Sequence, residues 1–247
     1  NQPIPEPAEA LKRPGEIDTL EELYLAGQHL EQYRHATFLP ADYYLEGLKR
    51  DPSDIRLNNA YGLLLMRNTE IEKSIPFFEA AIRKQTWRNP NPYHGEVIFN
   101  LALAHSLLGH WQEAYDAFFK ATWSAETAGN AFFHLACLCV QKGQWEQALH
   151  FVTECLYRGW RNMKCRALRA MVLKKIDSDE LPAFLNESVK IDPLDFGILY
   201  LILEKHKLIE SMGQGPGNYM NLALEFLSFG CYTEALDVLE LCPAACL

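Results

Sequence analysis

Two stretches of this 247-residue chain repeat one another 34 residues apart. GHWQEAYDAFFKA runs from Gly109 to Ala121, and GQWEQALHFVTEC from Gly143 to Cys155. Gly109 matches Gly143, Trp111 matches Trp145, and Ala114 matches Ala148. The preceding segments match too, FNLALAHSLLG before the first and FHLACLCVQKG before the second. YMNLALEFLSFG followed by CYTEALDVLE is a third copy, and NNAYGLLLMRN followed by TEIEKSIPFFEAAI an earlier one. Repetition at this period constrains the fold strongly. One such unit cannot bury its apolar face alone, so neighbours stack and share a continuous core. Apolar residues follow the helical period and strand alternation is absent, so each unit is a helix pair.

Each recurring residue has a mechanical role. Small residues in the first helix (Gly62, Ala102, Ala136, Ala223) and in the second (Ser74, Ala114, Ala148, Ala235) let the paired helices approach. Gly109, Gly143 and Gly230 suit the left-handed residue that ends a helix. Phe78 and Phe118 fill the space between successive pairs, and Pro52 and Pro193 stop a helix from running on. The expected fold is all-α, a right-handed α-solenoid of about six antiparallel helix pairs.

These residues resemble the tetratricopeptide repeat over nearly all of 17–241, most specifically in the two central copies. The departures are local. RNPNPYHG stretches the spacing between Ala81 and Ala121 to 40 residues. Residues 163–193 read as a helix pair that has lost its small residues. After Pro193 a single helix, about Leu194 to Ile209, reads as lacking a full partner before GQGPG. A narrower resemblance rests on AGQHLEQYRHAT, NPNPYHGE and AYDAFFKATW. These strings are similar to the helical C-terminal part of large bacterial proteins that carry an N-terminal β-rich, mutarotase-like domain of unknown function. That resemblance implies a repeat region whose sugar-binding or catalytic part lies upstream. The proline-rich stretch 1–15 then reads as a linker, 16–247 as the repeat domain, and the chain as a piece of a longer protein.

Charge narrows the partner. A net charge of −9 supplies no basic stripe for phosphates, so extended nucleic-acid binding is not expected. No run of 18 uncharged apolar residues is present, so no membrane span is expected. The seven cysteines are an odd number without framework spacing, and Cys137, Cys139, Cys155, Cys231 and Cys242 fall in or beside amphipathic helices. They read as buried reduced thiols in a reducing, cytoplasmic compartment.

Catalytic signatures are missing. There is no Walker A, dinucleotide fingerprint, HExxH or GxSxG. Gly213, Gly215 and Gly217 lie in a loop between helices. His134 and Cys137 share a helical face, but zinc needs about four ligands and no second cluster complements them. Trp111 and Trp145 recur and read as framework, whereas Trp87, Trp123 and Trp160 are freer. No catalytic, cofactor or metal residue is assigned, and no cofactor is expected.

The remaining expectation is binding. In this architecture the first helix of each pair lines the inner face. Counting from the small residues places Arg56, Asn59, Leu63 and Met66 there, then Glu96, Phe99, Leu103 and Ser106, then Asn130, Phe133, Cys137 and Val140. The Lys/Asn clamp for acidic peptide C-termini is not matched. Two segments break the period: His29–Thr37, and the inserted loop Arg88–Gly95, which carries Arg88, Asn89, Asn91 and Tyr93. Projecting loops of solenoids commonly make specific contacts. Arg56, Asn59, Arg88, Asn89, Asn91 and Tyr93 are thus the expected interaction surface. The expected activity is that of a non-catalytic scaffold holding a protein partner or the upstream domain of the same polypeptide. The alternative is an accessory helical domain lending loop residues to a carbohydrate site on that upstream domain.

Overall fold

The computed structural model describes residues 10–33 and 35–243. The described residues form α-helices with one short 3-10 turn, Pro14–Glu16, and no strand. The helices are α1 Leu20–Gln32, α2 Pro40–Arg50, α3 Ile55–Arg67, α4 Ile71–Thr86, α5 Glu96–Leu107, α6 Trp111–Ala121, α7 Ala128–Gln141, α8 Trp145–Arg158, α9 Met163–Lys175, α10 Leu181–Ile191, α11 Phe196–Ile202, α12 Lys205–Met212, α13 Pro216–Phe229 and α14 Tyr232–Glu240. None is long and apolar enough to cross a membrane. The chain divides into two compact units, residues 1–114 and 115–247.

The hairpin turn inside a pair is built the same way five times. A left-handed residue follows the first helix at Thr69, Gly109, Gly143, Asp177 and Gly230. Its N–H bonds the carbonyl three residues back, and the next N–H bonds the carbonyl five residues back, as in Gly143 to Val140 and Gln144 to Cys139. This double bond satisfies two helix-end carbonyls at once. Glycine has no Cβ to clash there, so it marks three of the turns in the sequence. Thr69 and Asp177 take the same backbone at a cost of about 1 kcal/mol each.

In the first unit the small-residue positions are as tight as the sequence implies. A Cβ on Gly62 of α3 would lie 2.6 Å from the Phe78 ring of α4. Phe78 is fully buried, worth roughly 1.5–3 kcal/mol. Ser74 is buried too and donates its hydroxyl to the Ile71 carbonyl. Gly27 gives α1 and α2 the same kind of contact against Tyr44.

Of the proline-rich stretch, residues 1–9 lie outside the described residues. The part that follows packs on the first pair. Leu11 and Ile17 join the cluster of Leu23, Ala26, Leu30 and Tyr43. The Tyr43 hydroxyl donates to the Lys12 carbonyl (2.8 Å), and the Arg50 guanidinium donates to the Ile17 and Pro14 carbonyls.

In the second unit α7 is buried nearly all round, from Ala128 to Val140. It packs on α8 and also on α13, where Phe133 meets Phe229 edge to face at 5.9 Å. Gly230 is doubly required here. Its φ is +86°, and a Cβ would fall 2.5 Å from Gln141 Cγ.

Two expectations for this unit need correcting. Residues 163–193 keep a small residue in the first helix: Ala170 is fully buried, 34 residues after Ala136. The second helix is set one residue closer, so Phe184, Leu185 and Ser188 follow Phe151, Val152 and Cys155 by 33. The single helix expected over 194–209 is two helices, broken at extended Leu203 and Glu204. In one continuous helix Leu199 and Leu208 would lie on opposite faces, nine residues being two and a half turns. The break lets both be buried.

Candidate interaction groove

Arg56 and Asn59 project from the first turns of α3, whose N-terminus is fixed by the Asp54 carboxylate accepting from the Leu57 N–H. Arg56 pairs with Glu21 of α1 and lies over the Tyr24 ring. Asn59 donates to Glu96 of α5 (3.1 Å) and accepts from Asn100 (2.8 Å). The two residues therefore tie together α1, α3 and α5. Burial raises the Tyr24 phenol pKa, with the Glu96 charge adding to it.

These side chains line a groove of about 640 Å³ within the first unit. Its other walls include Asp51, Lys84, Gln85, His94 and Val97. Gln85 donates its amide to the His94 carbonyl (2.7 Å), but its Oε1 is buried with no hydrogen-bond partner among the described residues. Such an orphaned acceptor costs about 1–3 kcal/mol unless something donates to it. Lys84 is in no ion pair among the described residues, and its charge acts on Asp51 from a distance. The Ser53 hydroxyl and N–H hold Asp51 below the ordinary carboxylate range. A second cavity of about 500 Å³ shares Asp51, Ser53 and Lys84 and extends to Arg83 and Trp87.

The expected surface residues thus separate. Arg56 and Asn59 meet in the groove. Arg88, Asn89, Asn91 and Tyr93 do not line it. Arg88 lies over Trp87 at 4.9 Å, Asn89 closes a turn by accepting from the Asn91 N–H, and Tyr93 is 82% exposed beside His94. The inserted loop reaches the groove only through its end, His94 and the start of α5. Sequence counting missed Lys84, Gln85 and Tyr24, which sit on helices other than α3.

The other candidates resolve locally. In His29–Thr37, His35 Nδ1 accepts from the Thr37 and Phe38 N–H groups, which is turn chemistry, and Arg34 lies outside the described residues. Glu31 accepts from the Tyr44 hydroxyl and pairs with Arg67. Phe133, Cys137 and Val140, expected on an open inner face, are buried. His134 stacks on Phe118 at 4.9 Å, and burial pushes its pKa down to about 4. Among the described residues no group of three or more potential ligands could hold a metal. Trp87, Trp123 and Trp160 share a place the sequence did not reveal. Each follows the second helix of a pair, is more than half exposed and carries a cation over its ring, from Arg88, Lys120 and Arg161 respectively.

No protein-family model matches the sequence. Solved structures do share its architecture. A tetratricopeptide repeat protein from Parabacteroides merdae is 13% identical, with a TM-score of 0.63 over 90% of this chain and 98% of that one. The MamA protein is 15% identical, with a TM-score of 0.60 over 70% and 92% of the two chains. YrrB, a TPR protein with an unusual peptide-binding site, is 16% identical, with a TM-score of 0.51 over 80% and 89%. These likenesses, with the 34-residue register and the five equivalent turns, establish the tetratricopeptide-repeat fold for this chain.

Proposed function

We propose that the chain is a non-catalytic scaffold whose first unit receives a polypeptide segment in the groove between α1, α3 and α5. The observation that carries this is the orphaned Gln85 Oε1 in the wall of an open groove beside Lys84. A bound backbone N–H would satisfy that acceptor, and Lys84, in no ion pair among the described residues, would donate to a carbonyl of the segment. Asn59, held by Glu96 and Asn100, is the fixed amide against which a backbone registers. The peptide-binding site of YrrB supports the reading by analogy of fold alone. The segment would come from a partner protein or from another part of the same polypeptide.

Selection of short random peptides on the immobilised chain tests this. The selected peptides are expected to lose about tenfold or more in affinity for Lys84→Glu and Arg56→Ala. The unfolding midpoints of these exposed variants are expected to stay near that of the parent. Equal affinity for parent and both variants would remove the groove from the account.

A further inference from the structure

Cys155 lies in the last turns of α8 and Cys165 in the first turn of α9. Both are buried, at 3% and 0% exposure, and their sulfurs are 2.6 Å apart. Among the described residues no other two cysteine sulfurs share a contact. The pairing was hidden in the sequence because the nine residues between the two carry no framework spacing.

The connection between the helices is pinned at both ends. The Gly159 N–H bonds the Cys155 carbonyl, and the Asn162 side chain accepts from the Cys165 N–H. Inside that turn the Asn162 N–H bonds the Gly159 carbonyl, and the Arg166 guanidinium donates to the Trp160 carbonyl. The backbone therefore holds the two Cβ atoms in place. The sulfurs need move by only about half an ångström to reach the ~2.05 Å of a covalent bond.

We propose that Cys155 and Cys165 are a modification site: a dithiol that a low-molecular-weight disulfide converts into an intramolecular bond tying one helix pair to the next. One cysteine thiolate attacks the small disulfide, releasing one small thiol and leaving a mixed disulfide. The other cysteine, deprotonated in turn, attacks the protein sulfur of that mixed disulfide and releases the second small thiol. The two protein thiols give up two protons and two electrons, and the small disulfide ends as two thiols. Burial gates the reaction, since the α8–α9 joint must open before an oxidant enters. The bond forms readily while the joint closes during folding and slowly in the folded chain. Cys137, Cys139 and Cys231 are buried as well, but no second cysteine sulfur is hydrogen-bonded to any of them among the described residues, so they are expected to stay reduced.

The test is refolding of the whole chain in a buffer of reduced and oxidised glutathione, alkylation of free thiols, and peptide mapping. The expected result is one linked peptide pair, Cys155 with Cys165, two fewer alkylated thiols, and slower hydrogen exchange of α9 amides by about tenfold in the linked form. In Cys155→Ser the Cys165 thiol is expected to be alkylated, with no new pairing. If refolding is inefficient, the same mapping on chain held with oxidised glutathione in denaturant just below its unfolding midpoint, where the joint opens repeatedly, decides the matter. Cys155 and Cys165 both alkylated in most molecules, or joined to other cysteines as often as to each other, would overturn the proposal.

Discussion

In each unit the first helix of one pair, α3 or α7, shows the same repeat positions, and from the second turn on the two use them differently. In residues 1–114, Arg56 and Asn59 of α3 face an open groove and are held by Glu21, Glu96 and Asn100. In residues 115–247, Asn130 of α7 stands at the repeat position of Arg56 and is exposed, but Phe133 stands at that of Asn59 and is buried, as are Cys137 and Val140 at those of Leu63 and Met66. There α13 fills the face, with Phe229 against Phe133. The repeat thus fixes the backbone and the joints between helices. The residues one face further round decide whether a pair keeps an open surface or uses it for internal packing.

The largest effect should come from breaking the packed face. Phe229 is fully buried among Phe133 and Phe226. Phe229→Ala should destabilise the chain by about 3–5 kcal/mol in chemical denaturation. A loss below about 1 kcal/mol would mean that α13 does not close this face, and the contrast between the units would fail.

The joints should respond alike in both units. Gly62→Leu in α3 and Ala148→Leu in α8 each force a side chain into a fully occupied contact. Each should cost about 1–3 kcal/mol. Unchanged denaturant midpoints for both would remove the small-residue explanation of the repeat.

Acid should single out the closed face. Burial, with the Lys164 charge second, lowers the His134 pKa to about 4 in the folded chain. The unfolded chain takes up that proton first, near the ordinary histidine value of about 6.5. The contribution of His134 is therefore fully present above pH 6.5 and is lost as pH falls from there to about 4, with no further loss below. Half-buried Asp195 and Glu225, whose pKa values are raised by desolvation, act in the opposite sense. The difference between the parent and His134→Phe isolates the histidine. Parallel stability profiles for the two proteins from pH 7 to 4 would contradict this assignment.

The smallest effect concerns the turns. Thr69 and Asp177 hold a left-handed backbone that glycine adopts without strain. Thr69→Gly and Asp177→Gly should each raise stability by roughly 0.5–1 kcal/mol, read as a shift of the unfolding midpoint. A decrease at either site would show that the side chain supports its turn.

The fold was legible because glycine, alanine and tryptophan recur where backbones must turn or touch. Legibility failed where another residue does the same mechanical job. Asp177 replaces a turn glycine, and α10 is set one residue closer, so the repeat at 163–193 is present in space while its signature is diluted. The break at Leu203 carries neither glycine nor proline, and burial of Leu199 and Leu208 on one side explains it better than any local signal. The groove was half legible. Arg56 and Asn59 follow from counting along one helix. Tyr24, Lys84 and Gln85 come from other helices, and only their packing brings them to the same place. The inserted loop drew attention as a break in period, yet its exposed residues stand outside the groove.

The most direct test of the central claim is an NMR titration of the chain with a peptide selected for binding to it. Amide shifts are expected at Tyr24, Asn59, Gln85, His94 and Glu96, with Phe133, Cys137 and Val140 unmoved. Shifts confined to the α7 face, or absent from the groove, would contradict the division of roles between the two units.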